Sequence, residues 1–265
     1  MIGFEFNGTP ENVCWKGYGY MKTEQKMRRS RVLEKVRGGE PSFCTKMNLA
    51  DPRAFEIAAM SGIDCLWTCQ EHVGNDYRSI QEQVLAAKAH DCDVLCRVPK
   101  GSYSDYIRPL ELDATGIMIP HVMSSREAKE IVRTTRFHPI GRRPADGGNA
   151  DGKYCQIPFK DYIQQANRER FVVLQIEDPE PLDELDAIAA VEGYDMLFFG
   201  PGDFTHSIGD PGNFENPRVK DARLRIAEAA SKHGKVAATV GNLSNYKELL
   251  EIGSEDRINE KYFKG

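Results

Sequence analysis

The chain has no apolar run long enough to span a bilayer, no Cys-x-x-Cys pair and no surplus of positive charge. Each absence removes a class of function. A spanning helix needs about 20 apolar residues, and none of the apolar runs approaches that length. The N-terminus, "MIGFEFNGTPENVCWKGYGYMK", lacks a basic start, an unbroken apolar core and a small-residue cleavage site, so it does not read as a secretory signal. With 40 acidic against 35 basic residues the formal net charge is −5. That argues against a nucleic-acid partner, which needs a basic face to neutralise phosphates. The one basic run, "KMRRSRVLEKVR" from Lys26 to Arg37, reads as the exposed side of a leading helix. Seven cysteines occur without zinc spacing, and Cys44, Cys65, Cys69 and Cys96 fall inside strand-like runs. They read as small apolar fillers in a reducing compartment, which points to the cytoplasm.

What is present is alternation. Seven short apolar runs recur, "SFCTKM", "DCLWTC", "DVLCRV", "GIMIP", "FVVLQIE", "DMLFFG" and "KVAATVG". Segments of helical periodicity separate them, such as "DPRAFEIAAMSG", "SIQEQVLAAKAHD" and "DARLRIAEAASKHG". Runs apolar on both faces, spaced by helices, are what a parallel sheet covered by helices requires. The 265 residues suit a single (β/α)₈ barrel, which commonly fills about 250; an open doubly wound sheet is the alternative. The expected division is an N-terminal extension, residues 1–23, and one barrel domain, residues 24–265. Its leading helix is expected over about Thr23 to Arg37, closed by Gly38-Gly39. The eighth unit is atypical, because the closing "SEDRINEKYFKG" is too charged for a buried strand. Either a degenerate element closes the barrel, or the N-terminal segment or a neighbouring subunit covers the gap.

In such a barrel the chemistry sits at the carboxyl ends of the strands. Five consecutive runs end in ionisable groups: Gln70-Glu71-His72, Arg97, Pro120-His121, Gln175-Ile176-Glu177-Asp178 and Gly200-Pro201-Gly202-Asp203. Glu177 and Asp203, from adjacent strand ends, can converge across the mouth, where a hard divalent cation relieves their repulsion. The same pair could be an acid dyad or two independent loop acids. Arg97 can donate to an enolate or carboxylate oxygen, or serve in a structural ion pair. His72 has the protonation range of a shuttle near neutrality. His121 and His206 have no motif beside them and are set aside.

The residues resemble the HpcH/HpaI family of class II, metal-dependent pyruvate aldolases, from about Gly38 to Gly253. The likeness is carried by "LADPRAFEIAAMSGIDCLW", "EH" with a downstream "ND", "RVP", "GIMIPHVMSSREAKEIVRTTRFHPIGRR", "LQIEDPEPLDELDAIAAVEGYDMLFFGPGDFTHSIG" and "GNFENPRV". It implies a TIM barrel of the phosphoenolpyruvate/pyruvate-binding type. It also implies a lyase that reversibly cleaves a 4-hydroxy-2-oxo acid to pyruvate and an aldehyde through a metal-stabilised pyruvate enolate. By the same resemblance, Glu177 and Asp203 bind a divalent ion, Mg²⁺, Mn²⁺ or Co²⁺. The backbone around Gly202 and Asp203 holds the substrate carboxylate, Arg97 stabilises the enolate oxygen, His72 takes part in proton transfer, and Gln175 orients a ligand or water. A homo-oligomer, trimer or hexamer, is implied as well, with Glu111 at the position whose acid pairs with the histidine of a neighbouring subunit.

Three departures bear on this. The family usually has Asp-Gly-Glu-His or a close variant where this chain has Cys69-Gln70-Glu71-His72. Glu111 replaces an Asp. The loop "GRRPADGGNADGKY", Gly141 to Tyr154, lacks the usual glycine after its second arginine. Two rivals follow: a CoA-thioester lyase of the citrate lyase beta type, and a catalytically impaired barrel acting as a binding subunit. The small-molecule partners expected are an oxo acid and an aldehyde, with no nucleic acid and no membrane.

Overall fold

The computed structural model describes residues 25–240. Its strands are β1 (Cys44–Lys46), β2 (Cys65–Cys69), β3 (Asp93–Arg97), β4 (Gly116–Ile119), β5 (Phe171–Ile176), β6 (Met196–Phe199) and β7 (Val236–Thr239). They form one sheet in the order β1 to β7, every neighbouring pair parallel. Each of the seven apolar runs read from the sequence forms one strand. The connecting helices are α1 (Arg31–Arg37), α2 (Pro52–Met60), α3 (Tyr77–Lys88), α4 (Tyr103–Glu111), α5 (Ser125–Thr135), α6 (Phe159–Glu169), α7 (Leu185–Ala189), α8 (Pro201–Ser207) and α9 (Pro217–Lys232). No helix among the described residues is long and apolar enough to cross a membrane.

The two-residue period of the strands sorts their side chains into two cores. Leu66, Val94, Ile117, Leu174 and Leu197 face outward and pack with the helices. Trp67, Leu95, Met118, Val173 and Phe198 face the concave side and form a second cluster. Gly116 pairs in register with Phe171, and a Cβ on it would lie 2.1 Å from a Phe171 ring carbon. The glycine thus makes room for a large ring in the floor of the concave face.

The leading segment departs from expectation. The helix begins at Arg31, not near Thr23, because the Ser30 hydroxyl caps it by accepting from Leu33 N–H. Residues 25–30 are not helical. The basic run is not a solvated face either. Arg28 pairs with the fully buried Asp93, which also accepts from the Ser30 hydroxyl at 2.6 Å and from Val32 N–H at 3.0 Å. Arg31 and Lys35 reach Asp64 at 3.2 and 2.8 Å. These charges seat α1 across the amino ends of the strands, with Val32 and Leu33 buried against the concave cluster. Each such side chain contributes about 1.5–3 kcal/mol on burial. The glycine stop is as expected, with Gly38 capping α1 and Gly39 at φ +78.

At the two edges β1 is exposed and β7 largely half-buried. An eighth strand would fall among residues 241–265, outside the described residues, as does the extension over residues 1–23. The four cysteines assigned to strands all lie in them, at β1, β2 and β3.

Candidate active site at the carboxyl ends of the strands

The parallel register brings the predicted polar residues to one end of the sheet. Cys69 lies directly across from Arg97. The Arg97 guanidinium is buried, sits 4.9 Å from the centre of the Trp67 ring, and donates to the Cys69 thiol from Nε and Nη2 at 3.4 and 3.3 Å. A thiol is a weak acceptor, and the charge partner comes from elsewhere: Glu71 Oε2 lies 2.9 Å from Nε without an aligned hydrogen bond. Arg97 therefore faces Cys69, so this thiol is more than an apolar filler.

Glu177 is 1% exposed. One carboxylate oxygen accepts from the Gln175 side-chain amide, the other from the backbone N–H of His121 at 3.0 Å. Burial pushes its carboxyl up to about 7, against the lowering effect of the His121 amide and ring, with smaller repulsion from Asp203 and Glu71. Gly200 makes this seat possible, since a Cβ there would lie 2.6 Å from Glu177 Oε2 and 2.8 Å from the Gln175 amide nitrogen. Gly202 is different, because a Cβ on it would meet nothing within 4 Å. It is the second residue of α8, whose first backbone bond there runs from Phe204 N–H to the Gly200 carbonyl, leaving the amides of Gly202 and Asp203 ahead of the ladder.

Asp203, exposed in the first turn of α8, completes a cluster with Glu177 and His121 whose ligand atoms all lie within 4.8 Å of one another. Both predicted carboxylates converge as the sequence implied. His121 was passed over, yet it stands at the centre. It directly follows Pro120 at the end of β4, so the strand-end rule reached it, and it was set aside only for want of a motif beside it. Its backbone is left-handed at φ +49, its Nδ1 lies 2.8 Å from Asp178, and its Nε2 lies 3.7 Å from Glu177. Burial lowers the imidazole's proton affinity, but the hydrogen bond to Asp178 and the charges of Glu177, Asp178 and Glu71 more than reverse that, so it is raised above its ordinary value.

Gln175 is buried beside Glu177, and its side-chain oxygen accepts no hydrogen bond from any described residue. His72 is at the rim, half exposed, with Nε2 3.7 Å from Glu71 and its backbone N–H on the Cys69 sulfur at 3.4 Å. Glu111 does not join the cluster within one chain. It ends α4, where burial raises its carboxyl against the lowering charge of Arg143. The loop from Gly141 to Tyr154 spends polar groups internally: Arg143 pairs with Asp151 at 2.9 Å, and Tyr162 donates to the same carboxylate at 2.8 Å.

The chain has counterparts among known proteins. The family model described as HpcH/HpaI aldolase/citrate lyase matches residues 47–254. A hydroxypyruvate/pyruvate aldolase of Roseobacter denitrificans is 35% identical over 75% of this chain and 77% of its own length. A 5-keto-4-deoxy-D-glucarate aldolase of Klebsiella pneumoniae is 32% identical over 78% of this chain and 80% of its own. The crystal structure of an HpcH/HpaI aldolase from Desulfitobacterium hafniense superposes with a TM-score of 0.77 at 29% identity, covering 83% of this chain and 86% of that one. With the family match spanning most of its length and its strand-end acids assembled in one place, this chain belongs to the HpcH/HpaI aldolase/citrate lyase family.

Proposed function

We propose that the chain is a carbon–carbon lyase that reversibly cleaves a 4-hydroxy-2-oxo acid to pyruvate and an aldehyde. The observation that carries this reading is the convergence of Glu177 and Asp203 at the mouth of a sheet that also presents Arg97 there. The aldolase relatives act on small oxo acids by their names, and this reading extends that activity to the present chain.

The donor set fits a divalent cation. Two carboxylates from adjacent strand ends, one of them pushed up to about 7 by burial, make a pocket of negative charge that a hard ion such as Mg²⁺, Mn²⁺ or Co²⁺ would relieve. When bound, the ion supplies Lewis-acid polarisation of the substrate ketone. Glu177 and Asp203 would hold it. The Gly202 and Asp203 amides receive the substrate carboxylate in this reading. Arg97, already desolvated on Trp67, donates to the oxygen on which charge accumulates as the C–C bond breaks. Gln175 orients Glu177 through its amide and keeps its free oxygen for a water or substrate hydroxyl. His72, at the wet rim, moves the proton between substrate and solvent.

The same reading includes a (β/α)₈ barrel closed by an eighth unit from residues 241–265. The exposed β1 and the half-buried β7 at the two sheet edges support it. It also includes one domain over residues 24–265, a cytoplasmic location, and a homo-oligomer, trimer or hexamer, in which Glu111 pairs with His72 of the partner subunit. Purified chain offered 4-hydroxy-2-oxo acids and, separately, CoA thioesters tests the function. Pyruvate release from the free acids alone supports the aldolase; cleavage of the thioester alone supports the citrate lyase type, and turnover of neither supports a binding subunit.

A further inference from the structure

We propose that His121 is a third protein ligand of the metal centre, so that this chain offers one imidazole nitrogen beside its two carboxylates. The inference rests on the reading of Glu177 and Asp203 as ligands, and it extends that reading to a residue outside the assigned pair.

Four observations converge on the ring. One of its ring nitrogens lies within 4.8 Å of the ligand oxygens of both Glu177 and Asp203. Nδ1 is 2.8 Å from the Asp178 carboxylate. A carboxylate can only accept, so Nδ1 carries the proton, and in the neutral ring Nε2 keeps its lone pair. Nε2 itself lies 3.7 Å from Glu177 Oε1. A carboxylate behind the distal nitrogen is the usual support of a metal-binding histidine, since it fixes both tautomer and ring direction. The backbone is also committed. His121 is held at φ +49, a conformation uncommon for a side-chain-bearing residue, while its N–H donates to Glu177 Oε1 at 3.0 Å. One residue thus positions the buried carboxylate through its main chain and aims a nitrogen at the same place through its side chain.

Chemistry follows from the donor type. Mg²⁺ prefers oxygen ligands, whereas imidazole favours transition ions, in the order Mn²⁺ below Co²⁺. A centre with two carboxylates and a histidine should therefore prefer Co²⁺ and Mn²⁺ over Mg²⁺ more strongly than one with the carboxylates alone.

Electron spin-echo spectroscopy of the full chain loaded with Mn²⁺ alone reads the ligand directly. The expected result is nitrogen coupling in the wild type, lost in His121→Ala, with Mn²⁺ and Co²⁺ affinity in that variant reduced about tenfold or more and Mg²⁺ affinity reduced less. Asp178→Asn keeps the ring and should retain the coupling while weakening Mn²⁺ roughly 10- to 100-fold. Should His121→Ala fail to fold, the wild-type spectrum and Asp178→Asn still decide. Absence of coupling in Mn²⁺-loaded wild type, or its persistence in His121→Ala, overturns the assignment while leaving the carboxylate centre standing. Undiminished Mn²⁺ affinity in both Glu177→Ala and Asp203→Ala would instead remove the centre on which it rests.

Discussion

A Cβ at residue 200 would lie 2.6 Å from Oε2 of Glu177, closer than real Cβ contacts come. The glycine after β6 therefore exists for the carboxylate after β5. Gly200→Ala should fold, at a cost of about 1–3 kcal/mol from overpacking, and displace Glu177 enough to lower turnover about 10²-fold. Urea unfolding and steady-state rates on the same preparation check both. Wild-type turnover would mean that Glu177 does not need its present seat.

Arg97→Lys should keep its metal and lose about 10²- to 10³-fold in turnover, as expected when a donor to developing charge is removed. An ammonium can neither reproduce the two-pronged donation nor lie flat on Trp67. Elemental analysis alongside kinetics separates the effects. A near-normal rate would reduce Arg97 to the ion pair it makes with Glu71.

The sequence made the seven strands legible because each is an apolar run bounded by turn residues, and a parallel sheet buries both faces of such runs. The acids of the site were legible for a related reason, since strand ends are where a helix-covered sheet first meets water. Other features were hidden. The basic run from Lys26 to Arg37 carries no local sign that Asp93 and Asp64, far along the chain, take up its charges. His121 was missed because its meaning comes from Asp178 and Glu177, which only the β4–β5 pairing brings beside it. The role of Cys69 likewise depends on the β2–β3 register.

Charge at the amino ends of the strands should govern acid stability. Asp113 is buried, which by itself would raise its carboxyl, but Arg170 and Lys88 more than offset that and hold it below the usual carboxylate range. A lowered value in the folded state contributes stability above the unfolded carboxyl value, near 3.9, and that stability is lost as pH falls through the folded value. Asp113→Asn should cost about 3–5 kcal/mol at neutral pH, because it leaves Arg170 buried without its partner. The deficit should shrink below about pH 4. Urea midpoints from pH 3 to 7 for both proteins test this, and a pH-independent gap would contradict it.

His72→Ala should slow cleavage by roughly 10²- to 10⁴-fold, the usual worth of a positioned acid or base. Metal and pyruvate binding should survive, since His72 stands at the rim, apart from the Glu177 and Asp203 cluster. Undiminished cleavage would leave the proton to another rim group such as Glu71.

The central claim, that Glu177 and Asp203 hold an ion that makes pyruvate acidic at its methyl group, is tested most directly by proton exchange. Purified chain is incubated with pyruvate and Mg²⁺, Mn²⁺ or Co²⁺ in deuterated water, quenched with chelator, and the methyl signal followed by NMR. The account predicts metal-dependent loss of that signal in the wild type and none above background in Glu177→Ala or Asp203→Ala. Exchange no faster than the metal alone in the wild type, or at the full rate in both variants, would contradict it.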